Sequence, residues 1–256
     1  MEPVVCNHMS RDTVPRIPNT CVLKENVKTP LTKQLEAWNP SETGAEAVVS
    51  VLLGDTNPGG RMPVSVARHA GQIPVYYNHV NGSAWHQSGS IGFADYVDLP
   101  HTPRYCFGHG LSYTTFAYSE LVISDPEVAS DGTVEISVIV ENTGSCAGDE
   151  VVQLYVRDPY ASMARPVKEL AGFRRIHLVP GEKRKLVFRL PVSFMAFLNT
   201  KMNWVIEKGK VEVQIGASSE DIRLTDSFTI TDQGGLFPHG SRHGLLLRPG
   251  TDGKAG

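Results

Sequence analysis

The stretch TVEISVIVEN, at residues 133–142, decides the fold class. Successive side chains of a β-strand point to opposite faces, so a strand with one buried face shows apolar residues at every second position. In this stretch Val134, Ile136, Val138 and Val140 alternate with Glu135, Ser137 and Ile139. The pattern therefore predicts a strand that packs one face into a core.

Six further segments after Tyr113 share this character and are rich in Val, Ile, Thr, Phe and Tyr. They are FAYSELVIS, DEVVQLYVRD, LAGFRRIHL, KLVFRLPV, GKVEVQIGAS and IRLTDSFTIT, and the turn signals include NTGS, VPGEK and EKGK. Seven short strands within about a hundred residues predict an antiparallel β-sandwich of the immunoglobulin or fibronectin type III kind. Because the Cys…Trp…Cys spacing of antibody domains is missing, the fibronectin type III-like variant is favoured.

The residues before the sandwich follow a different pattern. After Pro40, with Ser41 as the predicted N-cap, an apolar face of Val48, Val49, Leu52 and Leu53 predicts a helix that Gly54 ends. NPGG then indicates a turn, and RMPVSV predicts a short strand. We therefore expect a mainly β protein in which a short α/β segment precedes the sandwich.

The predicted organisation has four parts. Residues 1–30 lack strand or helix periodicity and are expected to be poorly ordered, and residues 31–113 hold the α/β segment with its connecting loops. Residues 114–231 form the sandwich, and the glycine-rich residues 232–256 are expected to be a disordered tail.

Composition excludes several classes of protein. Lys+Arg of 24 against Asp+Glu of 27 gives a net charge of −3, which provides no field for binding nucleic acid or an anionic membrane. The longest apolar run, AVVSVLL, is too short to span a bilayer. The first residues lack a secretion signal, so a cytoplasmic location is expected. The four cysteines form no C-x-x-C pair, and reduced thiols are expected.

No residue pattern identifies a catalytic or metal site. FGHGLS lacks both the third glycine and the following helix of a phosphate loop, and there is no G-x-S-x-G nucleophile motif. The spacing of His79, His86, His101 and His109 is not that of a metal site, so we expect no metal and no cofactor. Two carboxylate pairs, Asp95 with Asp98 and Glu42 with Glu46, favour solvated or turn positions. Asp149 and Glu150 open a predicted strand after a glycine turn and are interpreted as edge or turn residues.

The aromatic residues before the sandwich allow one binding hypothesis. Their rings could stack on the apolar faces of sugars, while neighbouring polar side chains bind hydroxyls. The alternative is that they pack beneath a long loop. The substrate-binding candidates are Trp85, His86, Arg104 and Tyr105.

Several segments of the sequence resemble family 3 glycoside hydrolases, the β-glucosidases and β-xylosidases. The first is LEAWNPSETGAEAVVSVLLGDTNPGGRMPVSV at residues 35–66, which resembles the end of their second, α/β domain. GQIPVYYNH and RYCFGHGLSYTTFAYSEL follow in the family's order, with Cys106 where a proline is usual. GDEVVQLYVRD, RPVKELAGFRRIHLVPGE and IGASSEDIRL resemble the family's fibronectin type III-like domain, so the resemblance covers about residues 35–231.

This resemblance implies an activity that depends on absent parts. Family members hydrolyse terminal β-glucosides or β-xylosides with two carboxyl groups about 5–5.5 Å apart. By resemblance, the nucleophile belongs to a (β/α)₈ barrel of roughly 250 residues, which this chain has no room for. By the same resemblance, the family's acid/base residue belongs to the second domain, upstream of the block that begins at Leu35, and neither Glu2 nor Glu25 lies in similar text. No catalytic residue is therefore assigned, and a separate chain that contains the barrel is a possible partner.

Two further expectations follow. A helix and a strand without their sheet neighbours should leave the side chains of Val48, Val51, Leu52 and Val64 exposed to solvent. Residues 31–104 should therefore be marginally packed or pack against the sandwich, which should fold autonomously. The alternatives to the enzyme-scaffold interpretation are a non-catalytic carbohydrate- or protein-binding module and a self-sufficient hydrolase that uses Asp95 or Asp98.

Overall fold

The computed structural model describes residues 6–9, 34–80 and 100–237. Helix α1 is Gly44–Leu53, and 3₁₀ turns occupy Ala70–Gln72 and Val192–Met195. The strands in these ranges are β1 Cys6–Met9, β2 Gln34–Glu36, β3 Phe116–Ile123, β4 Glu127–Val128, β5 Thr133–Asn142, β6 Gly148–Arg157, β7 Glu169–Leu178, β8 Lys183–Pro191, β9 Phe197–Leu198, β10 Trp204–Ile206, β11 Gly209–Gly216, β12 Ile222–Ile230 and β13 Gly234–Phe237.

Two sheets form the predicted β-sandwich. One has the order β3-β5-β8 and the other the order β4-β12-β11-β6-β7, and their pairings are antiparallel except that of β4 with β12. All seven segments predicted as strands are strands of these two sheets. The mainly β, fibronectin type III-like fold class is therefore confirmed.

Strand β5 shows how alternation becomes a core. Val134, Ile136, Val138 and Val140 are fully buried between the sheets, and Ile136 lies opposite Phe188 of β8. They share the core with apolar residues of the facing sheet, including those of β6, β11 and β12. The outward row of β5 meets β8 through the ion pairs Glu135–Arg189 and Glu141–Lys183.

Strand β6 is buried on both of its faces. Val152, Leu154 and Val156 point into the core between the sheets. The alternate residues Gln153 and Tyr155 are also buried, although they lie on the opposite face of the sheet. Residues 57–80 and 100–113, here called the joint, cover this outer face through contacts described below. A strand covered on both faces explains the nearly continuous apolar run VVQLYV.

The joint has little regular structure. The predicted strand over RMPVSV is wrong, because this stretch holds only one isolated bridge, between Val66 and Tyr105. Met62 nevertheless exchanges two backbone hydrogen bonds with residues 108 and 109, both of 2.8 Å. The extended residues 61–66 form hydrogen bonds to the glycine-rich turn at residues 108 and 109 and not to a neighbouring strand. Their alternation of apolar and polar residues therefore does not lead to a β-sheet.

Helix α1 agrees with the sequence at its end and differs at its start. Gly54 ends it in the left-handed conformation at φ 87°, as predicted, but the N-cap is Thr43 and not Ser41. Leu52 and Val64 are exposed as expected, whereas Val51 is buried against the joint. The prediction of open apolar surface is therefore wrong for Val51.

Short strands occur inside both terminal segments for which little order was expected. In residues 1–30, β1 pairs with β2 in antiparallel fashion. In residues 232–256, β13 pairs with β10. Residues 1–5, 10–33 and 238–256 lie outside the described ranges.

Candidate functional site

Two of the four candidate substrate-binding residues lie in the joint. Arg104 and Tyr105 are each half-buried, and the Arg104 guanidinium carbon is 6.0 Å from the Tyr105 ring centre. The Tyr105 ring stacks on His109 with centroids 5.7 Å apart and an interplanar angle of 13°. Trp85 and His86 lie outside the described residues. The role of these four residues in binding a sugar stays a prediction.

A buried ion pair joins the joint to the sandwich. Arg61 Nη2 donates a hydrogen bond of 2.7 Å to Glu150 Oε1, and the two side chains are 9% and 5% exposed. Glu150 also accepts the backbone N–H of Val151 at 2.8 Å. Because removing charges from water is costly, such a pair depends on both members being present. The edge or turn role predicted for Glu150 is therefore wrong, because Glu150 is buried in β6, which lies between β11 and β7.

Gln153 anchors the glycine turn on the outer face of β6. Its Nε2 donates to the carbonyls of Gly108 at 3.2 Å and Ala217 at 2.6 Å, and its Oε1 accepts the Tyr155 hydroxyl at 2.6 Å. Gly108 has φ 78°, and a Cβ there would overlap the Gln153 amide. This position thus requires glycine for both its backbone conformation and its close approach.

Aromatic rings fill the same interface. Tyr77 stacks on Phe107 with centroids 4.3 Å apart, and its edge meets Tyr155 at 5.8 Å. The Tyr77 hydroxyl accepts the backbone N–H of Leu170 at 3.2 Å. Burial raises the pKa of Tyr77, so this hydroxyl stays neutral at ordinary pH. Tyr77 and Phe107 of the joint therefore pack on each other, and Tyr77 also packs against Tyr155 of β6.

Asn57 fixes the two ends of the joint together. Its Oδ1 accepts the Ser112 hydroxyl at 2.9 Å and the Tyr113 N–H at 2.8 Å, while its Nδ2 donates to the Ala147 carbonyl at 2.9 Å. The Tyr113 hydroxyl in turn donates to the carbonyl of Val51 in α1 at 2.8 Å. Helix, joint and the β5–β6 turn are therefore held by a single hydrogen-bonded group.

The ionisable groups of this region reflect burial and ion pairing. Burial, with the neighbouring Arg61 charge, lowers the pKa of His109. Burial raises the pKa of Asp149, but hydrogen bonds from His177 and Arg175 outweigh it and the net pKa is lowered. Asp149 meets His177 Nδ1 at 2.6 Å and Arg175 Nη2 at 2.5 Å. Both members of the Asp149–Glu150 pair are therefore held in ion pairs.

Other sequence candidates are placed as follows. Glu42 and Glu46 are exposed at the start of α1, and Asp95 and Asp98 lie outside the described residues. Across residues 34–80 and 100–237, no group of three or more His, Cys, Asp or Glu side chains is arranged to hold a metal ion. No helix in those ranges has the length and apolar character needed to cross a membrane.

Comparison with protein families identifies both halves of the chain. Residues 18–113 match the glycosyl hydrolase family 3 C-terminal domain, and residues 150–219 match the fibronectin type III-like domain. The first match begins upstream of residue 35, where the sequence resemblance was expected to start. Part of the segment predicted to be poorly ordered therefore belongs to the family's domain.

Named relatives agree with this assignment. A periplasmic β-glucosidase of Salmonella typhimurium is 42% identical over 191 residues, which is 74% of this chain and 25% of the relative. A β-xylosidase of Formosa agariphila is 42% identical over 197 residues, 77% of this chain and 27% of the relative.

A solved structure shows the same relation. A β-glucosidase from Listeria innocua in complex with glucose superposes with a TM-score of 0.73 at 33% identity, over 79% of this chain and 28% of that one. The chain thus spans about a quarter of the length of the relatives it matches. With both domain matches in the family's order, the chain belongs to glycosyl hydrolase family 3, of which it contains a C-terminal portion that includes the fibronectin type III-like domain.

Proposed function

We propose that this chain is the C-terminal scaffold of an enzyme that hydrolyses terminal β-linked glucosides or xylosides. The substrate class is taken from relatives named β-glucosidase and β-xylosidase. The catalytic carboxyl groups belong to other polypeptide, either a separate chain or a longer form of this one. The proposal includes no cofactor.

The observation that supports the scaffold role is that the two carboxylates at the start of β6 are engaged in ion pairs. Glu150 is buried against Arg61, and Asp149 is bound by Arg175 and His177. A retaining glycosidase needs two free carboxyl groups about 5–5.5 Å apart across the glycosidic bond. The Arg61–Glu150 pair holds the joint against the sandwich, and the pairs of Asp149 join β6 to β7 within the sandwich. Carboxylates engaged in this way are not free to act on a substrate.

Turnover measurements test this proposal. The purified chain should not hydrolyse an aryl β-glucoside or an aryl β-xyloside. A family 3 polypeptide that contains the barrel should gain activity when this chain is added to it or joined to it. Hydrolysis by the purified chain alone, retained after further purification, would overturn the scaffold role.

The row formed by Arg104, Tyr105 and His109 supports a second candidate, a non-catalytic carbohydrate-binding module. Aromatic stacking of a sugar on this row should be visible in a titration with cellobiose or xylobiose followed by NMR. Saturable shifts that disappear in Tyr105→Ala but persist in Tyr160→Ala, a tyrosine exposed elsewhere, would favour the module. Unchanged spectra in the native chain would reject it. Trp85→Ala tests the sequence-based candidate in the same way.

The cytoplasmic location also stays a prediction, and one relative is named as periplasmic. Fractionation of the native cells with an antibody to this chain measures it directly.

A further inference from the structure

The joint contains basic side chains and no acidic ones. Residues 57–80 and 100–113 include Arg61, Arg68 and Arg104 with four histidines, and neither aspartate nor glutamate. Glu150 of the sandwich pairs with Arg61, but across residues 34–80 and 100–237 no carboxylate pairs with Arg68 or Arg104. Most arginines of the sandwich do form such pairs, namely Arg157, Arg165, Arg175, Arg184, Arg189 and Arg223. Two arginine charges of the joint are therefore not balanced by the described part of the chain.

Arg68 is held in place by uncharged oxygen atoms. Its Nε donates to the carbonyl of Thr102 at 3.0 Å, and its Nη2 donates to the hydroxyl of the same residue at 3.3 Å. Its backbone N–H donates to Oε1 of Gln72 at 2.7 Å. Gln72 is buried, and its Nε2 donates to the carbonyls of residues 100, 101 and 102. Because these acceptors are neutral, the Arg68 guanidinium has a fixed position and keeps its positive charge.

Arg104 belongs to the same region of the joint. Its backbone N–H donates to the carbonyl of Val66 at 2.7 Å, and the Val66 N–H donates to the carbonyl of Tyr105 at 2.8 Å. This pairing brings the segments that contain Arg68 and Arg104 side by side, and Thr102 is only two positions before Arg104. The Arg104 side chain lies beside the half-buried ring of Tyr105 and forms no hydrogen bond within residues 34–80 and 100–237. Two guanidinium groups and an aromatic ring are thus near one another.

We propose that Arg68 and Arg104 bind the carboxylate of an acidic sugar, a glucuronic acid residue, whose ring packs against Tyr105. The inference rests on the proposed function, because the carbohydrate chemistry of the family selects a sugar among the possible anionic ligands. A guanidinium group presents its N–H donors in a planar fork that matches a carboxylate. The apolar face of a pyranose ring packs on aromatic side chains, and Tyr105 supplies one beside Arg104.

Charge favours an acidic sugar over a neutral one at this position. The hydroxyl groups of a neutral sugar form hydrogen bonds with arginine but leave its charge uncompensated. A carboxylate forms charge-assisted hydrogen bonds, which are roughly twice as strong as neutral ones. The joint contains no acidic residue that would repel such a ligand. The same two arginines therefore give the site a preference for the acidic sugar.

An NMR titration of the purified chain with two matched disaccharides tests the inference. Cellobiouronic acid differs from cellobiose only in that the C6 hydroxymethyl group of the non-reducing sugar is oxidised to a carboxylate. We expect its dissociation constant to be at least about tenfold lower than that of cellobiose, because its hydrogen bonds to arginine are charge-assisted. The affinity for the acid should fall as sodium chloride is added. Sodium phosphate should bind more weakly than the acid, because it has no apolar face to pack against Tyr105.

Single substitutions locate the site. Arg104→Gln removes a guanidinium that forms no hydrogen bond within the described residues, so the fold should be retained. This variant should bind cellobiouronic acid at least about fivefold more weakly than the native chain does. The matched control is Arg174→Gln in β7, which removes a half-buried arginine that has no carboxylate partner in the described ranges, and it should leave the affinity unchanged. Arg68→Gln should also weaken binding, with circular dichroism to show that the variant is folded.

The other outcomes overturn the inference in distinguishable ways. Equal affinity for the two disaccharides would reject the preference for an acidic sugar and leave a carbohydrate-binding module standing. Binding of phosphate as tight as that of the acid would reduce the site to one for an inorganic anion only. Binding of the acid that appears only in the double variant Asp95→Asn/Asp98→Asn would assign the arginines to carboxylates of this chain. If the native chain binds none of the three ligands, the inference fails, while the scaffold function is judged separately by the turnover measurements.

Discussion

Removing Arg61 should destabilise the chain far more than removing an arginine from a surface pair. In Arg61→Met the Glu150 carboxylate stays buried without its countercharge, and breaking such a pair costs about 3–5 kcal/mol. Glu150 keeps the Val151 N–H at 2.8 Å, which partly stabilises its charge. We therefore expect the low end of that range, about 3 kcal/mol of unfolding free energy.

The measurement is urea unfolding followed by far-UV circular dichroism, with the free energy taken from linear extrapolation. Adding Glu150→Gln to Arg61→Met removes the buried charge but keeps an acceptor for Val151, so the double variant should regain about 2 kcal/mol. The matched control is Arg189→Met, which removes a pair with Glu135 whose side chains are 78% and 49% exposed. This substitution should lower the free energy of unfolding by less than about 1 kcal/mol.

Two results would refute this reasoning. One is a loss in Arg61→Met no greater than that in Arg189→Met. The other is a double variant that is less stable than Arg61→Met alone, because the buried charge would then not be the source of the loss.

Two further predictions concern the joint. Gly108→Ala should cost roughly 2–4 kcal/mol, because the methyl group meets Gln153 and the backbone has φ 78°. Gly181→Ala, at φ 77° with open space around it, should cost only about 1 kcal/mol in the same urea titration, and equal losses would contradict the packing argument. Burial and the Arg61 charge lower the pKa of His109 in the folded chain, so the unfolded chain binds a proton at this residue first. The free energy of unfolding should therefore fall as the pH drops below the ordinary histidine pKa of 6.5. His109→Gln should flatten this part of the profile, and an unchanged slope would exclude His109 as its source.

The strands of the sandwich were predictable because their information is local. Alternation in β5 and its counterparts, with glycine turns between them, specifies which face is buried without knowledge of the partner strand. Gly54 was found for the same reason, since a left-handed helix end favours glycine. The shift of the N-cap from Ser41 to Thr43 lies within the usual uncertainty of helix starts.

The contacts of the joint could not be predicted in this way. Arg61 and Glu150 are 89 positions apart, and the residues next to each of them in the sequence do not indicate a buried ion pair. RMPVSV has the composition of a strand, but its hydrogen-bond partners are a glycine turn. One local signal was available in β6, where VVQLYV lacks the polar alternation of a strand with an open face. That run indicates that something covers the second face, although not which residues do so.

Because β6 is buried on both of its faces, the sandwich cannot be transferred to another gene without part of the preceding domain. A domain that contains its own complete core can in principle fold alone and be joined to a new neighbour. In this chain the joint covers the face of β6 that points away from the core between the sheets, and Tyr155 on that face is completely buried against it. A gene fusion that took only residues 114–231 would leave Gln153 and Tyr155 without their cover. Successful transfers should therefore retain the glycine turn around Gly108, and the two domains should share one evolutionary history.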